Sequence, residues 1–470
     1  MRISVFIVSL LITAQCFTQN EVSTIYWGTC ILDFRFSPFQ VLSSNAVSSR
    51  ESGASICDSA GNLLFYSNGG TSPTSNYTGG AWGANGQFLQ NGQNLEHLGC
   101  FSTQQGAIIL PDPAGISATS KKYYLLTKDC IEAAFTGPQS DHSGLSYGII
   151  DMLANGGNGA VISQNNVVVP YLNGGGSTDW EPLNVVLDTD DEQKSGALGY
   201  WVYSYQGDSL YKIHFGVNGF DSFQTLFQEG GRIIVAPDRT HLMIKSRLYE
   251  LDAPTGNLVL VHTFPTTNDG VFSSDGRKIY RAENNKLMQY NMDQANWQNT
   301  PYEVASFSQT APQFFLVPSG RIFLWNSNSA FSAQIMCPNT FGPNCNYTAS
   351  NLSLQGGSLT TPPNIPAHYL YNAGSGCLLG LDEQAAEKIS LVPNPSTGSF
   401  KVYCDQLDQS QLTIRITDLT GRVIRTDKAT NLEVEGQLEI HAEDLPNGEY
   451  FLEFVQKDQE PVMKRFVIRQ

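Results

Sequence analysis

Side chains that could carry chemistry are thinly spread along this chain. Seven histidines stand at positions 97, 142, 214, 241, 262, 368 and 441. None forms an HExxH pair or another short metal-ligand spacing, so each reads as a structural histidine. Neither a G-x-S-x-G nucleophile elbow nor a phosphate-binding P-loop occurs. Carboxylates are the remaining candidates. Glu51, Asp129, Glu132 and Glu181 could act as the acid and base of glycoside hydrolysis only if folding carried two of them to one mouth. The run Asp188-Thr189-Asp190-Asp191-Glu192 places carboxylates where they could surround calcium. It lacks the turn Gly and distal Glu of an EF-hand loop, so a solvated hairpin tip is the simpler reading. Trp82, Trp180 and Trp201 lie beside Gly-rich loops and offer faces for stacking on sugars, although packing between sheets uses the same faces. No catalytic residue, metal site or cofactor is assigned, calcium being the one open option.

Nine cysteines, less Cys16 in the leader described below, leave eight, an even number suited to an oxidising compartment. Their connectivity stays open. Cys337 and Cys345 are the favoured pair because Pro-Asn-Thr-Phe-Gly-Pro-Asn between them is a turn-rich loop, whose closure would stabilise by about 2 to 3 kcal/mol.

The elements that must position these groups are strands. With 43 Gly, 20 Tyr, 25 Phe and 15% charged residues, the composition favours pleated surfaces and turns over long helices. At 470 residues the chain is expected to form two or more folding units. A formal charge of -16 opposes phosphate backbones and anionic headgroups, so no nucleic-acid partner is expected. Residues 1–19 combine Arg2, an apolar run over 3–12, and Thr13, Ala14 and Gln15, which is signal-peptide anatomy. Cleavage between Ala14 and Asn20 is expected. The run is too short to span a bilayer, and no later segment reaches that length.

Over residues 53–336 one phrase returns: an apolar run, a turn with Gly, and a second apolar run rich in Tyr and Phe. The clearest copies span 54–66, 272–280 and 315–323, with weaker ones at 106–127, 146–169, 200–215 and 233–251. Seven units at roughly forty residues match the blade length of a β-propeller, whose four-stranded sheets bury their faces only against neighbours. The reading is all-β: a propeller of about seven blades over residues 20–370, a tether over 371–388, and a small immunoglobulin-like β-sandwich over 389–470.

That last domain carries ordered turn motifs. Pro393, Asn394 and Pro395 lead through Gly398 into a strand. Asp418-Leu419-Thr420-Gly421-Arg422 reads as a hairpin turn with Gly421 at positive φ, and Asn447-Gly448 before Glu449-Tyr450 reads the same way. A final strand bears Lys464 and Arg465. In this order, at the extreme C-terminus, the motifs resemble the type A C-terminal sorting domain of type IX (Por) secretion cargo. The resemblance implies export to the periplasm and recognition of the folded tag by the outer-membrane translocon. It also implies removal of the tag by a sortase-like peptidase, with anchoring to the surface or release.

Residues 51–66, 90–105, 148–152, 181–186 and 345–371 are also similar to the large N-terminal domain of gliding-motility-associated surface proteins. That resemblance implies a propeller-like fold at the surface and brings no activity with it. Asp58-Ser59-Ala60 and Asp208-Ser209-Leu210 resemble short acceptor sites for O-glycans in bacteria of this kind. The functional expectation is a secreted or surface-attached binding module for an extracellular protein or glycan, non-catalytic rather than enzymatic. A polysaccharide hydrolase or lyase and a structural surface component are the alternatives.

Overall fold

The computed structural model describes residues 19–36, 38–44, 46–70, 79–93, 95, 103–129, 144–170, 181–189, 197–268, 270–307, 313–325, 330–373, 389–404, 413–417, 423–428, 437–455 and 462–469. Residues 1–18 of the expected signal peptide (1–19) and 374–388 of the expected tether (371–388) lie outside them. The chain forms two compact units, 1–375 and 376–470.

The larger unit is a seven-bladed β-propeller. Blade one has three strands and blades four to seven have four each. Blades two and three are four-stranded too, joined into one eight-stranded sheet by a single parallel bridge between Gln90 and Ala160. The first strand of each blade faces the axis: Thr24–Trp27, Ala54–Cys57, Ala107–Pro111, Asn184–Asp188, Ile233–Val235, Gly270–Phe272 and Gln313–Leu316.

Seven is the number read from the sequence, but two errors in that reading cancel. The copies at 106–127 and 146–169 are halves of one blade, whose strands are Ala107–Pro111, Lys122–Lys128, Leu145–Asp151 and Ala160–Val169. Blade one, strands Thr24–Trp27, Cys30–Asp33 and Gln40–Ser43, carries no copy of the phrase.

Burial explains the residue pattern. In blade four the first strand, Asn-Val-Val-Leu-Asp, is buried throughout, and so is all but the last residue of the second, Gly199–Gln206. The fourth strand, Gly219–Gln228, is largely exposed. Neighbouring blades cover both faces near the axis, so alternation gives way to continuous apolar runs there, while the rim strands stay exposed. In blades four and six a second-strand tyrosine then ties the blade to the next. Tyr203 donates to the Gly256 carbonyl at 2.6 Å, and Tyr280 to the Pro338 carbonyl at 2.9 Å. Each such bond contributes about 1 kcal/mol net and satisfies a hydroxyl that burial takes out of water.

The ring closes between blades seven and one. Trp27, fully buried, packs edge-on against Trp325 at 4.8 Å and against Phe315 and Phe331 at 5.2 and 5.5 Å. After its last strand, Tyr347–Ser353, the chain runs back across blade one as a strap. Thr29 N–H bonds the Ser358 carbonyl, Thr361 N–H that of Arg50, and Asn364 N–H that of Gly53. Gly28, at φ +65, lies so close to the Ser358 backbone that no side chain fits there.

The smaller unit is a two-sheet sandwich. One sheet orders Ile389–Val392, Ser399–Cys404 and Gln437–His441. The other orders Val423–Lys428, Thr413–Thr417, Gly448–Val455 and Val462–Ile468. Between them lie Phe400, Val402, Ile414, Leu452, Phe454, Phe466 and Ile468, each at most 3% exposed.

Two expectations are corrected. Cys345 is a free, buried thiol, so the Cys337–Cys345 bridge does not form. The Gly342–Cys345 turn instead directs Cys345 into the propeller core beside Tyr280, and burial lifts its pKa to about 11. Cys337 is disulfide-bonded, but not to Cys345. Gly448 is not at positive φ. It already pairs with Ile468 as the first residue of its strand, so an extended backbone replaces the expected turn conformation.

Candidate functional site

Inner strands all start at the same mouth of the propeller. Because neighbouring strands in a blade are antiparallel, connections between second and third strands return there as well. The described ends of the longest strand connections of the large unit, 68–70 and 79, 103–106, 129 and 144, and 170 and 181–183, therefore open at this mouth, in blades two to four.

Asparagine and glutamine side chains stitch the mouth together. Gln105 imitates a strand partner for Ile233, donating Nε2 to its carbonyl at 3.1 Å and accepting its N–H at 2.9 Å. Asn184 donates Nδ2 to the same carbonyl at 2.8 Å. From the strap, Asn364 donates Nδ2 to the carbonyls of Leu183 at 2.7 Å and Gln105 at 3.3 Å. Blades three to five and the strap are thus joined through side chains that the sequence reading passed over. Their partners are 49 to 259 residues away, so no local pattern marks them. Beside this lattice an axial pocket of about 60 Å³ remains, walled by Arg232, Asn184, Gln105 and Asn364 and by apolar residues such as Phe272 and Phe315.

Three of the four nominated carboxylates reach this mouth. Asp129 accepts the Gly144 N–H at 2.7 Å, and Glu181 accepts the Gln104 N–H at 3.0 Å. Lys128 N–H bonds the Gly106 carbonyl, so both carboxylates converge on the bend at residues 103–106. Glu51 lies two residues before Gly53, where the strap is anchored, and is engaged as well. Glu132 lies outside the described residues.

Of the acidic run, Asp188 is buried beside His214, Oδ2 to Nε2 at 3.4 Å, while Asp190 to Glu192 lie outside the described residues. Among the described residues no group of three metal-ligating side chains occurs. Trp82 is stacked between Tyr66 and Phe88 at 5.7 and 5.0 Å, and Trp201 packs on His214 at 5.0 Å under the Lys212 ammonium at 4.7 Å. Both are packing residues; Trp180 lies outside the described residues. Burial holds His241 and His262 below the usual imidazole range and takes His368 down to about 3, with Arg239 adding to the effect. His97 and His142 lie outside the described residues. Ser59 is exposed at its turn, whereas Ser209 is half-buried at a strand start.

In the sandwich the sorting-motif residues close the chain's entry against its final strand. Asn394 donates Nδ2 to the Arg465 carbonyl at 3.0 Å and accepts the Val467 N–H at 2.9 Å. Ser396 then bonds Val467 and Arg469 through its backbone. Pro393 and Pro395 flank Asn394 and present it to that strand. At Gly398, φ is +127 and an added Cβ would sit 2.7 Å from the Glu443 Cα, so only glycine fits. Tyr450 donates its hydroxyl to the Pro446 carbonyl at 2.8 Å, pinning the crossing between sheets as a tyrosine corner does. Lys464 is half-buried on the last strand, opposite Leu452. Gly421 lies outside the described residues.

Comparisons with known proteins bear on both units. Residues 390–469 match the family model of the secretion system C-terminal sorting domain. Among curated protein sequences nothing matches the chain. Among solved structures, apo AztD from Citrobacter koseri is 12% identical over 70% of this chain and 80% of that one, with a TM-score of 0.37. A second AztD structure from Citrobacter koseri is 11% identical over 72% and 88%, with a TM-score of 0.36. A eukaryotic initiation factor is 9% identical over 72% and 95%, with a TM-score of 0.28. Among the described residues no helix is long and apolar enough to cross a membrane. The sandwich is thus a secretion system C-terminal sorting domain of the type IX kind, which implies export of the chain to the cell surface or beyond.

Proposed function

We propose that this protein is an exported, non-catalytic binding module: the sorting domain delivers it through the type IX translocon, and the propeller engages an extracellular glycan or protein at its long-loop mouth. The observation that supports this reading is the state of the mouth's carboxylates. Asp129 and Glu181, the acids best placed for hydrolysis, are each tied to a backbone N–H. A glycosidase needs one carboxyl free to give up a proton and another free to attack or activate water. In this reading residues 1–19 are removed as a signal peptide. Residues 371–388 form the tether, and the sorting domain is cut away by a sortase-like peptidase on arrival.

The test uses the full chain lacking only its leader, applied to a glycan array and to polysaccharide digests. Retention on one glycan class with no new reducing ends is the expected result, and it should disappear when residues 171–180 are replaced by a short Gly-Ser link. Release of oligosaccharides that stops in Asp129→Asn or Glu181→Gln would establish the hydrolase alternative instead. Delivery is tested separately, by fusing residues 389–470 to a periplasmic reporter in a competent host.

A further inference from the structure

The strap ends beside a cysteine that carries a disulfide. We propose that Cys337 is bonded to Cys377, a bridge that locks the end of the strap to blade seven; this goes beyond the binding-module reading. Ile335, the last residue of the third strand of blade seven, pairs with Ile322, the first residue of the second. Cys337, two residues on, therefore stands at the end of the propeller away from the mouth. Its disulfide is not shared with Cys30, Cys57 or Cys345, which are free thiols. Ser274, just past the inner strand of blade six, is at that end too. Asn372 N–H bonds the Ser274 carbonyl at 2.8 Å, and the Ser274 hydroxyl donates to the Ala373 carbonyl at 2.7 Å. Asn339 donates Nδ2 to that hydroxyl at 3.0 Å, and its Oδ1 accepts the Asp275 N–H at 3.1 Å. One turn of blade six thus holds the end of the strap and the segment after Cys337 side by side.

Chain length selects the partner. Cys377 lies outside the described residues, but only Gly374, Ser375 and Gly376 separate it from Ala373. Four peptide steps reach at most about 14 Å, and two glycines let the chain turn either way. A disulfide asks for Cα atoms about 4.4–6.8 Å apart, a gap this span can close. The other cysteines fit worse. Cys130 follows Asp129, whose backbone and carboxylate bond Gly144 at the mouth, and Lys122–Lys128 alone separates the two ends of its blade by about 20 Å. Cys100 is three residues from Thr103 at the same mouth, a reach of about 10 Å. Cys16 belongs to the expected leader. Cys404 ends a strand of the sorting domain, and a bond to it would hold the tag on the propeller after cleavage. In the oxidation the two thiols lose two protons and two electrons. The electrons pass to the oxidised disulfide of a periplasmic thiol–disulfide exchange protein, which leaves as a dithiol. Once bridged, residues 354–373 cannot slide out of place, so closure of the ring survives loss of the tag.

The experiment is peptide mapping of the full chain, expressed with its leader in a host whose periplasm oxidises thiols. Free thiols are blocked with iodoacetamide in denaturant before any reduction. Chymotrypsin is the protease, because no Lys or Arg lies between positions 337 and 377. The expected result is a peptide pair joining Cys337 to Cys377 and parted by dithiothreitol, with Cys345 alkylated. Cys337 joined to Cys100, Cys130 or Cys404, or alkylated without reduction, overturns the proposal. The lock is read in Cys377→Ser. That variant should melt about 4–6 °C lower, the effect of opening a loop of about forty residues in a unit of this size, and its Asn372 N–H should exchange with solvent at least tenfold faster. Cys404→Ser should leave the propeller's Tm and that exchange rate where they are. An unaltered Tm and exchange rate in Cys377→Ser overturns the lock. Should Cys377→Ser fail to fold, the same two readings on the unaltered protein before and after mild reduction decide in its place.

Discussion

Replacing Asn364 tests whether the strap is fastened by hydrogen bonds or merely packed. Asn364 is 4% exposed, and its Nδ2 reaches the Leu183 carbonyl at 2.7 Å and the Gln105 carbonyl at 3.3 Å. In Asn364→Ala the Gln105 carbonyl keeps the Leu183 N–H, but the Leu183 carbonyl loses the Nδ2 donor. One buried acceptor left unmet, plus the lost bond, costs about 2–3 kcal/mol. For a unit of about 350 residues the melting entropy is roughly 0.7 kcal/mol/K, so Tm should fall by about 3–4 °C. Asn364→Asp keeps the shape and turns a donor toward two carbonyl oxygens into a carboxylate. The fold must then hold that carboxyl protonated, raising its pKa above the unfolded value of about 3.9. The folded state binds more protons than the unfolded one above that value, so stability falls as pH rises. Asn364→Asp should be less stable than Asn364→Ala at pH 7, with the gap closing toward pH 5. Calorimetry at the two pH values is the assay. A shift below about 1 °C in the alanine variant, or a gap independent of pH, would refute the fastening.

Four further outcomes follow from other sites. Tyr280→Phe removes the hydroxyl that donates to Pro338 and accepts from Gln289 at 2.6 Å; it should lower the urea midpoint by an amount equivalent to about 1–2 kcal/mol, and an unchanged midpoint would deny the blade-six to blade-seven link. His368, with its pKa depressed to about 3 by burial, binds fewer protons folded than unfolded between pH 3 and its unfolded value near 6.5, so it costs stability progressively as pH falls through that window. A folded His368→Phe variant should therefore show a flatter decline in Tm between pH 6.5 and 4, and parallel curves would contradict this. Gly398→Ala forces a Cβ to within 2.7 Å of the Glu443 Cα; it should make the sorting domain protease-sensitive and halt export, and normal secretion would show that the turn tolerates a side chain. Cys345, buried and free, should resist alkylation until the protein is denatured, and peptide mapping should find no bridge between it and Cys337.

The sorting domain was the most legible part of the chain because its structure is local. Pro393 to Gly398, and Pro446 with Tyr450, act on neighbours a few residues away or on one adjacent strand. Gly448 shows the limit even there, since its backbone follows from pairing with Ile468 rather than from Asn447 beside it. In the propeller the turn phrase marked first and second strands correctly in blades two, six and seven. It could not say which pairs share a sheet, because bonding between second and third strands crosses long connections such as 129–144. Two half-blades were read as two blades for that reason, and a compensating miss of blade one restored the count.

Composition, turn chemistry and the order of the C-terminal motifs suffice to determine that this is an all-β exported protein with a sorting tag, since each depends on backbone preferences expressed within a few residues. The axial site belongs to another class. Gln105 meets Ile233 across 128 residues, and Asn364 meets Leu183 across 181 and Gln105 across 259. Arg232 reaches the pocket wall only because seven blades close into a ring and the strap leaves part of the axis open. Hydrogen bonds and charge act through space, and which polar groups become neighbours there is decided by ring closure, which no stretch of sequence spells out.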